Sequence, residues 1–293
     1  MKLRSGAGAA VLVLALGGIP SVVASAQTTH GWIDTCRLSH SVRSGPGSLN
    51  GDRDLHDFLG GDDASGRSTL RSMRRGGTTC QRSDTASYWA PALFENGRRV
   101  RPSGKHVREQ VYYRDDNLRR HTVVRAFPPG MELVAGNSEA RSTAGNQTLG
   151  TELYWGCSDD TPGGHKHTHP ISCRTGIISL HIGLPNCWDG VHRSMPDHPD
   201  AVVYPHAGTC PSSNPVALPR VIERWEYPVG PVTGHISLSN GPAYRVYGGL
   251  WNTWKQGALR HLVASCLNGD KNCGTFKPSG TRWASQGRPA KRP

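Results

Sequence analysis

A chain of 293 residues with a formal charge of +12 and only 35% hydrophobic residues fits neither a membrane-embedded protein nor an acidic, solvating one. Its 36 Gly and 21 Pro speak against a helical bundle and for many turns and short strands, while its eight Trp and eight Tyr speak against disorder.

The chain opens with MKLRSGAGAAVLVLALGGIPSVVASA, in which Lys2 and Arg4 precede an apolar run from Ala7 to Ile19 and a small-residue ending, Ala24-Ser25-Ala26. This is the layout of a secretory signal peptide spanning 1–26. The run is shorter than the ~20 apolar residues of a membrane-spanning helix, and no later segment is apolar enough to be one. A secreted, soluble product follows as the expectation. Loss of Lys2 and Arg4 lowers the formal charge from +12 to +10.

Strand-like runs follow at 110–113, 122–126, 132–135, 152–156, 176–183, 201–204, 221–227 and 235–239, separated by turn signals such as PPG, GNQT, TPGG and NGP. In RTGIISLHIGLP, strand alternation places Ile178, Leu180 and Ile182 on one face and Ile177, Ser179 and His181 on the other. By the same rule, one of the neighbours Tyr88 and Trp89 belongs to the core and the other to solvent. Glu223 and Glu226 fall on opposite faces, which counts against a paired-carboxylate glycosidase site. One helix is expected late in the chain, where Leu259, Leu262, Val263 and Cys266 make an apolar stripe that Asn252 would cap and Asn268-Gly269 would stop. These elements predict a mainly β architecture, a single β-sandwich domain over 27–276 with long disulfide-tied loops and one C-terminal α-helix.

All eight cysteines lie after the signal peptide, and none forms a CxxC pair. In an oxidising compartment an even number reads as disulfides, and loop closure favours sequence neighbours. The expected pairs are Cys36 with Cys80, Cys157 with Cys173, Cys187 with Cys210, and Cys266 with Cys273. Residues 277–293 carry five cations and no acid and read as a disordered basic tail. Further arginines cluster at Arg67, Arg71, Arg74 and Arg75 and at Arg98, Arg99 and Arg101. For a secreted protein the matching partner is a polysaccharide or anionic cell-wall polymer; no nucleic-acid module is recognisable. Asn146-Gln147-Thr148 is a glycosylation sequon in a eukaryotic host.

The strings SYWAPAL, FPPGMELVAGN, YWGC, NCWDG, CPSSNPVALP and WNTW follow one another in an order that resembles the secreted bacterial and fungal family known as domain of unknown function DUF1996, over roughly residues 32–273. The resemblance implies a link to walls and polysaccharides, since fungal members are often joined to carbohydrate-binding modules. It also implies three polar motifs: HxH near the N-terminus, DH with a further His after CWDG, and HxDF before a final Asn and Trp. This chain departs from all three. Asp54 replaces the first histidine and His56 is kept; Asp197 and His198 are kept, with Ala201 at the next histidine; Tyr247 and Gly249 stand for the His and Asp of the last motif, while Asn252 and Trp254 remain.

His56, Asp197 and His198 are therefore the candidate acid, base or metal-ligand groups, with Asp54 or Asp57 as a further donor to a divalent transition metal. Adjacent Asp197 and His198 converge on one ion only from a turn. Asp54, Trp188, Asp189, Asn252 and Trp254 are candidate substrate-binding residues, Trp188 beside Asp189 as a sugar platform. His165, His167 and His169 in GGHKHTHP share one side of an extended segment and form a second candidate metal cluster. Two functions remain open: a polysaccharide hydrolase or lyase, and a non-catalytic wall- or glycan-binding protein with a decayed site and a basic anchor. The sharpest expectation is that the 187–210 loop lies against residues 54–61 and puts His56 and His198 in one pocket.

Overall fold

The computed structural model describes residues 30–49, 51–62, 64–102, 109–146, 152–159, 164–232 and 234–278. The expected signal peptide over 1–26, residues 279–293 of the expected basic tail and the Gln147-Thr148 part of the sequon lie outside the described residues.

The first strands are β1 (Gly31–Cys36), β2 (Leu38–Val42), β3 (His56–Gly60), β4 (Ser87–Pro91), β5 (Leu93–Glu95), β6 (Arg98–Val100), β7 (Glu109–Arg114), β8 (Glu132–Gly136) and β9 (Leu153–Cys157). They continue with β10 (Ile177–Gly183), β11 (Cys187–Trp188), β12 (Val202–Val203), β13 (Val216–Ala217), β14 (Arg220–Pro228), β15 (Ile236–Leu238), β16 (Gly241–Pro242), β17 (Tyr247–Trp251) and β18 (Asn272–Phe276). Among the described residues two α-helices interrupt them, α1 (Leu70–Arg75) and α2 (Gln256–Leu262), the second continued by a π-helical turn over Val263–Leu267. As expected, the protein is mainly β, with a helix near its C-terminus and all four disulfides paired as the spacing indicated. No helix among the described residues is long and apolar enough to cross a membrane.

Two sheets make the sandwich, one ordered β18-β1-β7-β14-β10-β9 and the other β2-β3-β4-β17-β8. Between them Ile178, Leu180, Ile182, Trp225 and Tyr227 of the first sheet meet Leu59, Tyr88, Leu133 and Leu250 of the second in one core. The approach is close where β17 crosses β10: a Cβ on Gly248 would stand 2.6 Å from the Ile182 Cδ1 and 2.8 Å from the Trp89 carbonyl oxygen. Glycine at this position lets the sheets touch.

The second sheet is covered on its outer side as well. There Phe58, Trp89, Tyr247 and Trp251 pack with Leu49, Ala64 and Met73 into a smaller core under the loops around α1. Hence Tyr88 and Trp89 are both buried, against the expectation that one would face solvent. Alternation assigned them correctly to opposite faces, but this strand has a core on each face.

Two local expectations also fail. The run at 122–126 forms no strand, because its backbone binds elsewhere: the Val124 amide donates to Asn268 Oδ1 at 2.8 Å, and the Arg125 amide to the Ala217 carbonyl. Asn252 does not cap α2, whose N-cap is Lys255 without a side-chain bond. Instead Asn252 is buried, and its amide donates to the carbonyls of Phe127 and Pro128 at 3.1 and 2.8 Å, a tie between loops that no local pattern encodes.

Candidate functional site

His56 opens β3 after a turn in which the Asp54 amide donates to Asp52 Oδ1 at 2.8 Å. The register pairs His56 with Pro91 of β4, whose other neighbour is β17. Tyr247 reaches back across this strand, and its hydroxyl lies 2.5 Å from His56 Nε2. Trp89 completes a triangle of edge-on rings, 5.3 Å from both His56 and Tyr247, with His56 and Tyr247 5.5 Å apart. The structure thus brings together the first and last of the three motif positions. It also seals them: His56 is 0% exposed. Burial drives its pKa down to about 4, outweighing the pull of Asp52, whose carboxylate is 3.9 Å away. A neutral imidazole without solvent access is poorly placed to act on a polymer. Asp54, beside it, is half-buried; burial first, then Asp52 and Glu139, raise its carboxyl pKa, while Arg43 and Arg245 hold it down.

The 187–210 loop is pinched by its disulfide and built on the small sheet β12-β11-β13. Asp189 organises it. Its Oδ1 accepts the amides of Val191 and His192 at 2.8 and 3.0 Å, and its Oδ2 lies 2.6 Å from His192 Nδ1. Burial raises the Asp189 pKa, but the His192 imidazole and the two amides outweigh it and leave the carboxyl below its usual value. The His192 ring lies against that of His198 at 3.9 Å, and Asp197, His198 and His192 are exposed. Trp188, proposed as a sugar platform, is half-buried on the core with its indole N–H given to the His192 carbonyl at 2.5 Å.

The loop docks on the edge strand β8, where Glu132 bridges to Ser194 and the Met195 amide donates to the Glu132 carbonyl. β3 and β8 are separated by β4 and β17, which at ~4.8 Å per strand is about 14 Å across the sheet. The bridge also sits at the far end of β8, since His56 is level with Gly136 and Ser194 with Glu132. The second motif is therefore held apart from the other two, and Asp197, His198 and His56 do not converge on one ion or one sugar unit. The shared pocket is corrected to two separate clusters.

Among the remaining residues, Asn252 and Trp254 lie inside the sandwich. Trp254 donates to the Tyr113 hydroxyl at 2.8 Å, which itself lies 2.6 Å from the Tyr88 hydroxyl, so its part is to tie the sheets together. His165, His167 and His169 do share one side of a segment that bridges to Trp155, with successive rings 6.5 and 6.3 Å apart. Sequence reasoning passed over His192, although the Asp-Gly-Val-His spacing of an Asx turn carries its signal. It also passed over the buried acids Asp34, Asp84 and Glu109, which lie on faces of otherwise apolar pattern.

The structure defines a disulfide-tied β-sandwich whose motif histidine is shut in and whose exposed polar cluster sits on a separate loop. The chain belongs to the family described as a domain of unknown function, DUF1996, whose model matches residues 45–254. No curated protein and no solved structure matches it.

Proposed function

We propose that the protein is an extracellular, non-catalytic binder of anionic wall polysaccharide. The observation that carries this reading is the arginine surface around α1. Arg71, Arg74 and Arg75 lie three and four residues apart on the helix, Arg67 precedes it, and none of the four is in an ion pair with a described residue. Arg67, Arg71 and Arg75 are exposed. Solvated guanidinium groups such as those of Arg67, Arg71 and Arg75 recognise carboxylate, phosphate or sulfate on a polymer through bidentate bonds and long-range attraction. The seclusion of His56 and the replacement of the last motif's His by Tyr247 support the loss of any reaction at that position.

The test is cosedimentation with a polyuronate or a teichoic-acid-type polymer, read at low and high salt alongside a reducing-sugar and unsaturated-product assay. Arg67→Gln/Arg71→Gln/Arg75→Gln should weaken binding several-fold at low salt, with the difference vanishing at high salt as the charges are screened. Equal binding by this variant and the parent would remove the arginine surface from the reading. A second reading, a hydrolase or lyase, is favoured by one observation, the Asp189–His192–His198 array with both imidazoles exposed, in which a carboxylate orients an imidazole as a general base requires. Product formation that is lost in His192→Gln would establish it.

A further inference from the structure

At the end of the first sheet where β1 begins and β7 finishes, four side chains from four segments come together. The antiparallel register of β1 and β7 pairs Trp32 with Tyr113, which puts His30 opposite Asp115 just beyond the paired ends. On its other edge β1 runs parallel to β18, with the Gly31 amide donating to the Lys271 carbonyl at 2.9 Å, which brings Asp270 beside His30. The turn bearing Asp270 is closed by the Cys266–Cys273 disulfide. His121 arrives from the segment after β7, which Asn268 fastens to the same turn through the amide and carbonyl of Val124, at 2.8 and 2.9 Å.

The distances fit a coordination site. His30 Nδ1 stands 3.5 Å from Asp115 Oδ2 and 3.5 Å from Asp270 Oδ1, and His121 Nδ1 stands 3.5 Å from Asp270 Oδ2. Charge-assisted N–H···O bonds close to roughly 2.7–2.9 Å, as Asp189 and His192 do at 2.6 Å. Two donors bonded at roughly 2.0–2.2 Å to one tetrahedral ion instead stand roughly 3.3–3.6 Å apart. One ligand atom each from His30, Asp115 and Asp270 lies within 4.8 Å of the others, as ligands of a single ion must. Side-chain exposures of 18% for His30, 20% for Asp115 and 36% for Asp270 leave the donors half-shielded but reachable from solvent, and His121, at 70%, sits on the rim.

We infer that His30, Asp115 and Asp270 bind a divalent first-row transition metal of the zinc type, with His121 on the rim beside Asp270, and that the ion clamps the start of β1 to the turn before β18. One imidazole nitrogen and two carboxylates are three protein ligands of the kinds such an ion takes in a site that keeps its fourth position for water. His30 and Asp270 lie outside the residues matched by the family model. It is also distinct from the His165, His167 and His169 segment, which lies along β9 at the other edge of the same sheet.

Zinc titration of the untagged, metal-stripped full chain by calorimetry tests this, paired with thermal unfolding at fixed zinc. The parent should bind one zinc tightly and gain melting temperature with it, since a ligand of the folded state stabilises by mass action. Asp270→Asn and Asp115→Asn should each weaken the dissociation constant about tenfold or more, and the Asp270→Asn protein should lose the thermal gain. Asp115 and Asp270 lie on separate segments, so the result for one stands even if the other variant folds poorly. His165→Gln/His167→Gln/His169→Gln should keep the tight site. Absence of tight zinc in the parent, unchanged affinity in both Asp270→Asn and Asp115→Asn, or loss of the tight site in the triple-histidine variant would each overturn the assignment.

Discussion

His56 Nε2 and the Tyr247 hydroxyl meet at 2.5 Å across 191 residues of sequence, in a space without solvent access. Tyr247→Phe keeps the ring and removes only the hydroxyl, leaving a buried nitrogen without that partner. Such a loss costs about 1–3 kcal/mol, and urea unfolding should show it as a lower midpoint at unchanged slope. A Tyr247→Phe protein as stable as its parent would mean that the contact contributes nothing.

The two motif histidines should respond oppositely to truncation. His198 is exposed, so His198→Ala should shift stability by no more than about 0.5 kcal/mol, as surface changes do. His56→Ala opens a hole among Trp89, Tyr247 and the outer core and should cost about 2–4 kcal/mol. Similar losses for both variants in parallel denaturant titrations would contradict the separation of the two clusters.

Stability should be greater at mildly acidic than at neutral pH. Burial raises the carboxyl pKa of Asp34 to about 7 and lifts those of Asp84, Glu109 and Glu223 well above the usual range. Acids raised in this way contribute fully below the unfolded value near 4 and lose that contribution as pH rises through the folded value, about 7 for Asp34. His56 and His181 work the other way: burial lowers them to about 4 and about 3, so their contribution is full above the unfolded value of 6.5 and is lost as pH falls through the folded values. Four acids outweigh two histidines. The urea midpoint should therefore rise from about pH 7.5 to about pH 5, and Glu223→Gln, which can still accept the Trp225 indole N–H, should flatten that rise. A midpoint that falls over this range would refute the balance.

Gly248→Ala should be among the costliest single-methyl changes in the chain. The new Cβ would meet Ile182 at 2.6 Å and the Trp89 carbonyl oxygen at 2.8 Å, and the backbone atom cannot move without disturbing β4. Overpacking of this kind costs about 1–3 kcal/mol. A neutral result in thermal unfolding would show that the sheets can part there without loss.

Removing the Cys187–Cys210 bridge with a double Ser variant should cost about 3 kcal/mol by the loop-entropy estimate. The Glu132–Ser194 bridge and the bonds of Asn214 to the Asp200 and Ala201 carbonyls hold the same loop, so the sandwich should still fold. Equal urea midpoints for the parent and the double Ser variant would sink this prediction.

Much of the architecture was legible in the sequence because it depends on short-range rules. Alternation in 176–183 gave the two faces of β10, spacing gave the four disulfides, and the stripe Leu259, Leu262, Val263 and Cys266 gave the late helix. The strand Tyr247–Trp251 was not legible, because Gly248 and Gly249 carry no side chains to alternate; Gly248 is there for the close approach of the other sheet at Ile182, and Gly249 for the Leu133 carbonyl and the Trp89 ring within its own sheet. Nor could local pattern show that Trp89 would find a second core on the far side of its sheet. The candidate site followed the same division. Motif resemblance picked out His56, Asp197 and His198, but which of them share a pocket depends on strand order, and β4 and β17 intervene between β3 and the edge on which the 187–210 loop docks. Sequence by itself determined residue chemistry, strand faces and cysteine partners. Only the tertiary structure decided the neighbours of residues far apart in the chain, because those neighbours are set by register and sheet order, as with His30 and Asp270, 240 residues apart and brought together by the pairing of β1 with β18.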